Sequence, residues 1–305
     1  MSKKEKLKKK YSQKNAFTIE DFINKQLAEL DFDSSHQNIL KNNNNLFLGK
    51  FSTNDFYQMM EQVGLLHHLK NLGFKDILVK IEITEEGLNL FKAYHQKESS
   101  DNLLMDLKVS ESKFIPSKKF FSAEIKPQTY DMIVIEWLSA NNPQQKFSGD
   151  RPQLPGQNNP GLGILKYYFK LMYIVAKEVE KDGFLDIPDY VHGAIMYSRR
   201  FKFFDPAHEG VLQALLRDLK DYSLADISWG IITKTIIEKY KNEPQIYNPS
   251  EQIFYVSDKM KKYFYSSNYK KIFKKYYKRK KFRFDYDEML KEKENILKKA
   301  TISSL

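Results

Sequence analysis

Cysteine is absent from all 305 residues. Its absence excludes a disulfide framework, thiolate zinc sites, a thiol nucleophile and Cys-x-x-Cys redox chemistry. No apolar run approaches the roughly 18 residues that a membrane helix needs. The Lys-rich start is not followed by the apolar stretch of a secretory signal. The six histidines show neither His-x-x-x-His nor His-Glu-x-x-His spacing, so no metal is expected. Phe147-Ser148-Gly149 lacks the first glycine of a nucleophile elbow. The expectation is a cytoplasmic protein with no membrane span.

What is present suffices for a folded core. Hydrophobic residues make up 41% of the chain, and 22 Phe and 19 Tyr supply most of the aromatic bulk. The length allows two domains, or one domain with long appendages. The charge is unevenly spread. Residues 1–14 hold seven Lys and one Glu, and residues 259–283 hold twelve Lys or Arg and no acid. These segments carry +6 and +12 of a total of +11, which leaves the remainder at −7. Clustered cations with interleaved aromatics, as in Lys270-Lys271-Ile272-Phe273-Lys274-Lys275-Tyr276-Tyr277, suit nucleic acid or an acidic protein surface. A solvated basic helix face in a Lys-, Asn- and Ile-rich chain needs no partner at all.

Three regions follow. Residues 1–45 read as a basic leader with a short helix over 17–31, closed by the run Asn42 to Asn45. Residues 46–205 read as a compact core, and 206–305 as a helical, basic C-terminal extension. Within the core, Phe56, Met59, Met60, Val63, Leu66 and Leu69 recur at helical spacing, which predicts one helix over 54–72. Alternation predicts strands over 77–83, 87–95 and 103–109, an antiparallel meander. Met132 to Leu138 is a near-continuous apolar run, as expected of a central strand covered on both faces. A polar loop over 139–160 leads to Gly161-Leu162-Gly163. A helix from Ile164 to Val179, a strand over 184–187, a helix over 191–200 and a strand over 201–204 complete the core. Helices are expected over 209–220, 225–241, 252–281 and 290–300.

The chemistry concentrates between Met132 and Phe204. First-turn amides of a helix have no intrahelical partner, and the helix dipole adds partial positive charge there. Glycines let a phosphate approach that backbone. Pro160-Gly161-Leu162-Gly163 ahead of the Ile164 helix is therefore a pyrophosphate cradle in pattern. No Gly-Lys-Ser/Thr end follows it, which excludes a Walker A loop. Lys166 stands where a dinucleotide fingerprint needs its third glycine.

This stretch resembles the GNAT superfamily of N-acetyltransferases. Asn158-Asn159-Pro160-Gly161-Leu162-Gly163 occupies the place of the family's Arg/Gln-x-x-Gly-x-Gly/Ala loop. Tyr197, 34 residues beyond Gly163, falls at the family's helix tyrosine, and Gly193 at its small-residue position. Asn158 stands in place of the first Arg or Gln, with Gln157 adjacent. Tyr190 stands where an Asn is usual and Phe201 where a Gly is usual. The resemblance implies an α/β fold: a mixed, mostly antiparallel sheet flanked by helices over residues 46–205. It implies acetyl-CoA or another acyl-CoA as acyl donor, bound by Asn158, Gly161, Leu162, Gly163 and Ile164, and an amine acceptor. It implies Tyr197 as general acid toward the leaving thiolate. It also implies a splayed strand whose amide, near Glu136 to Leu138, meets the thioester carbonyl. Glu136 is the expected base, with Asp189 and His192 as reserves. An acidic acyl carrier protein is a variant donor suited to the basic C-terminal region. The competing expectation is a nucleic-acid-binding or scaffold protein whose core is inactive.

Overall fold

The sheet is built from two kinds of strand. The computed structural model describes residues 46–149 and 151–299, all within one compact unit that spans Asn44–Leu305. The leader and its helix over 17–31 lie outside the described residues. β1 (Ile77–Ile83), β2 (Asn89–His95) and β3 (Leu103–Phe114) form the expected antiparallel meander. Ile81, Phe91, Ala93, Met105, Leu107 and Val109 turn to one common core, as period-two alternation requires. β4 (Tyr130–Ala140) lies antiparallel to β3. Its Ile133 and Ile135 enter that same core, while Tyr130, Met132 and Val134 enter a second core on the opposite face. Burial on both faces accounts for the unbroken apolar run.

β5 (Gly183–Asp186) runs parallel to β4, the one parallel pairing of the seven-stranded sheet. The strand order is β1-β2-β3-β4-β5-β9-β6, with β6 at Lys202–Phe203 and β9 at Gln252–Tyr255. A second, three-stranded sheet joins β10 (Phe282–Phe284), β7 (Ile236–Glu238) and β8 (Glu243–Pro244). The fold is α/β, with a mostly antiparallel mixed sheet and nine α-helices among the described residues.

α1 (Thr53–Gln62), α2 (Leu65–Asn71) and α3 (Leu165–Glu178) pack into the first core. The single helix expected over 54–72 is two, because Gly64 takes a left-handed φ of 82° and breaks it. Ser52 and Asp55 cap α1 reciprocally. α4 (Val191–Tyr197) and α5 (Pro206–Asp218) follow. Asp205 caps α5, whose first residue is proline.

The region beyond 206 departs most from its expected form. α6 (Leu224–Ile232) gives way to turns and the three-residue β7, so only the first half of the helix expected over 225–241 is helical. The helix expected over 252–281 is instead β9, then α7 (Asp258–Tyr265) and α8 (Ser267–Arg279). α9 (Tyr286–Lys299) ends the described chain. β9 is not peripheral, since it pairs with both β5 and β6. Segment 252–255 reads as strand or helix by its apolar content alone. Tertiary pairing between two waiting edges decides it. Gly183 permits the close approach: a Cβ there would lie 2.2 Å from the Phe254 carbonyl oxygen.

Candidate functional site

The site opens where β4 and β5 stop pairing. Their register holds for Met132–Gly183, Ile133–Phe184 and Val134–Leu185, and goes no further. β4 continues alone with β3 to Ala140, while β5 ends at Asp186. Between the diverging ends lies a cavity of about 760 Å³. That is within the range of about 300–1,000 Å³ usual for small-molecule sites.

One wall is the turn into α3. Its residues alternate: Leu162 and Ile164 are buried, and Gly161 and Gly163 are exposed. The two aliphatic side chains pin the turn to the core, and the glycines face outward. Gly163 has φ 68°, and no atom stands within 4 Å of where its Cβ would be. Nε2 of His68 on α2 donates to the Leu162 carbonyl at 2.9 Å and so fixes the turn from behind. No side chain caps α3, in contrast to α1, α5 and α6. The amides of Ile164 and Leu165, which line the cavity, therefore have no side-chain acceptor among the described residues, while the Tyr167 amide donates to the Ile164 carbonyl. Asn158 is exposed at the cavity margin.

β4 forms the opposite wall. Lys108 pairs with Trp137 and Val109 with Ile135, so Glu136 is the extra residue of a β-bulge. A bulge leaves its extra residue out of the ladder and re-aims the strand. Glu136 is exposed and accepts a hydrogen bond from Ser110 Oγ at 2.6 Å. The apolar run around it suggests a buried carboxylate; the bulge is what turns this one outward.

The floor holds Tyr197, Tyr168 and Asp186. Tyr197 is 8% exposed and stacks on Phe201 at 5.0 Å, with Phe169 edge-on at 6.2 Å. Phe201 thus serves as a platform for the tyrosine. Burial and the nearby Asp186 carboxylate raise the Tyr197 phenol well above its ordinary range. Burial, opposed by a backbone hydrogen bond from Ile187 and reinforced by Asp189, pushes Asp186 up to about 7. Burial pushes His192 down to about 4, and its Nδ1 has no hydrogen-bond partner. The Tyr168 hydroxyl is likewise buried and unpartnered.

The cavity thus brings together every residue expected at the site: Glu136, Asn158, Gly161, Leu162, Gly163, Ile164 and Tyr197, with Asp189 and His192. Sequence reading misses Asp186, Tyr168 and His68. The signal for Asp186 is an acid at the carboxyl end of a strand, just before Ile187-Pro188, where ligands of open α/β sheets bind. No sequence signal marks His68, whose role depends on a contact 94 residues away.

Chemically, the cavity offers unengaged amides and a helix dipole to an anion, neutral phenols as proton donors, and a carboxylate poised near neutrality. Among the described residues, no group of three or more acidic or histidine side chains lies close enough to hold a metal ion. Nor is any helix among them long and apolar enough to cross a membrane. No family model, curated protein or solved structure matches the chain.

Proposed function

We propose that the chain is an N-acyltransferase that takes its acyl group from acetyl-CoA or a related acyl-CoA and passes it to an amine. The observation that carries this reading is the cleft beyond Val134 and Leu185, with the Gly161–Gly163 turn on one wall and Tyr197 on the floor. A strand that diverges from its parallel neighbour is what the acetyltransferase resemblance implies, as is the meander that precedes it.

In this reading the donor's pyrophosphate rests on the first-turn amides of α3, where hydrogen bonds and the helix dipole both favour an anion. Asn158 and Gln157 flank it. The pantetheine arm lies along the open edge of β4, and its amides use backbone groups that β5 leaves unpaired. The thioester carbonyl meets an amide near Glu136–Leu138, freed by the bulge, which stabilises the oxyanion of the tetrahedral intermediate.

Asp186 is the base. A carboxylate titrating near 7 is well matched to abstraction at neutral pH, and it takes this role ahead of Glu136. The ammonium of the acceptor gives one proton to Asp186, which returns it to solvent. The neutral nitrogen attacks, the N–C bond forms and the C–S bond breaks. Tyr197 gives its proton to the departing sulfur, and the second nitrogen proton leaves through solvent as the phenol is restored. The raised phenol is always protonated at working pH, so the donor is always loaded.

The test is thiol release from acetyl-CoA by the full chain in the presence of a mixed set of primary amines, with the acceptor's gain in mass read in parallel. Amine-dependent release supports the reading; release equal to the no-protein control contradicts it.

A second reading rests on α8. Lys270, Lys271, Lys274, Lys275 and Lys278 are exposed at i, i+1, i+4, i+5 and i+8. None is in an ion pair among the described residues, whereas Lys259 and Lys280 are bound to Asp182 and Glu238. Such a stripe follows a phosphate backbone without reading bases. Nucleic-acid binding is thus compatible with catalysis by the core.

A further inference from the structure

The charged side chains that line the cavity are all of one sign. Glu136 from β4, Asp186 from the end of β5 and Asp189 from the loop before α4 are its carboxylates, and no Lys or Arg lines it among the described residues. Acyl transfer needs one carboxylate to accept a proton. It does not explain the other two. Nor do the three serve as a metal site, since no such group converges closely enough to hold an ion. They are spread along the cavity.

Two buried polar atoms point the same way. Tyr168 is 3% exposed and His192 is 8% exposed, both line the cavity, and the Tyr168 hydroxyl and His192 Nδ1 have no hydrogen-bond partner among the described residues. Buried polar atoms are usually paired, so these two in one cavity are open to a ligand that can donate to them. An alkylammonium has three N–H donors and no acceptor. Carboxylates, a phenol oxygen and a neutral imidazole nitrogen are the groups that can receive them. Carboxylates at the end of the cavity formed by β5 and the loop before α4 also raise the local concentration of cations there.

Resting on the acyltransferase reading, we infer that the acceptor carries a second positive charge: a primary amine joined by a short alkyl spacer to another ammonium. Asp186 deprotonates the reacting nitrogen, while Asp189, whose charge already acts on Asp186, holds the charge that stays. The transfer step is unchanged, with N–C formed, C–S broken and the second ammonium a spectator. A free diamine or polyamine and a lysine side chain in a basic peptide share this chemistry.

The test uses the full chain, acetyl-CoA and three acceptors of equal length: diaminobutane, butylamine and aminobutyrate. The expected order of kcat/KM is diamine over monoamine over aminocarboxylate, with each step about tenfold. That is about 1.4 kcal/mol per step. In Asp189→Asn the diamine-to-monoamine ratio falls at least fivefold, and this ratio is insensitive to the amount of folded protein. A lysine-containing basic peptide beside free diaminobutane identifies the source, and turnover of either one supports the inference. Aminobutyrate accepted as well as the diamine overturns it while leaving the acyltransferase reading intact. Acetyl-CoA that neither binds nor turns over with any acceptor overturns both.

Discussion

Val134 and Leu185 are the last residues that β4 and β5 hold in parallel register. Past them, Ile135 and Asp186 belong to the two sides of an opening. The bulge at Glu136 bends β4 away from its neighbour just beyond that point. The turn into α3 and the C-terminal end of α4 then supply a wall and a floor. The position of one register break therefore links strand pairing to the chemistry proposed for the site.

Gly163→Val tests the turn. A β-branched residue at φ 68° is strained by about 1–2 kcal/mol, and its side chain would occupy the space in front of the first-turn amides. The melting temperature should fall by only a few degrees. The acetyl-CoA dissociation constant, measured by calorimetry, should rise at least tenfold.

Tyr197→Phe separates proton donation from packing. The ring keeps its stack on Phe201, and loss of the hydroxyl leaves no hydrogen-bond partner stranded among the described residues. Stability should be unchanged within about 0.5 kcal/mol. Removing a general acid lowers kcat by about 100-fold or more, with little change in KM for the donor. Equal kcat in the two proteins would remove Tyr197 from the mechanism.

Asp186 has two pH signatures. As a base it works only when ionised, so kcat/KM should rise with pH through about 7 and then level off. The same shift acts on stability with the opposite sign. Between the ordinary carboxyl range and about 7, the folded state binds more protons than the unfolded state, so stability falls as pH rises. Asp186→Asn should therefore remove the rising limb of activity. It should raise the melting temperature at pH 8 and leave it unchanged at pH 4.

Much of the fold and of the site is legible in the sequence, and what is not has physical causes. The meander, the strand buried over Met132–Ile135 and the α3 stripe are visible because apolar patterning reports which residues are buried, whereas Glu136 and Trp137, expected within the buried run, are exposed past the bulge. The Gly161–Gly163 turn is visible because few residue types suit it. Segment 252–255 is misread because Gln252-Ile253-Phe254-Tyr255 is too short an apolar run to separate strand from helix locally. Its state depends on edges offered by Gly183–Asp186 and Lys202–Phe203. The bulge that exposes Glu136 is likewise a register event between two strands, invisible along either one.

That dependence gives a further prediction. A chain ending at Pro206 lacks β9 and leaves β5 as a bare edge, so it should aggregate instead of folding. Gly183→Ala drives a methyl into the Phe254 carbonyl and should cost about 3 kcal/mol or more in the full chain. Denaturant unfolding measures the second; light scattering measures the first. A soluble, cooperatively folded truncation would contradict the β5–β9 pairing.

The α8 stripe is tested by binding of a labelled mixed-sequence duplex to the full chain at several salt concentrations. Changing Lys271, Lys274, Lys275 and Lys278 to Gln should weaken binding. It should also flatten the slope of log K against log salt by about 0.9 for each phosphate that is no longer neutralised. An unchanged slope would assign any binding to another part of the chain.

The most direct test of the site is residue-resolved. In an isotope-labelled full chain titrated with acetyl-CoA, the backbone amide signals of Leu162, Gly163, Ile164 and Leu165 should shift together with those of Glu136 to Leu138. Other amides should stay largely still. Absence of any shift at millimolar acetyl-CoA, or shifts confined to residues outside the β4–β5 cleft, would contradict the proposed acyl-donor site.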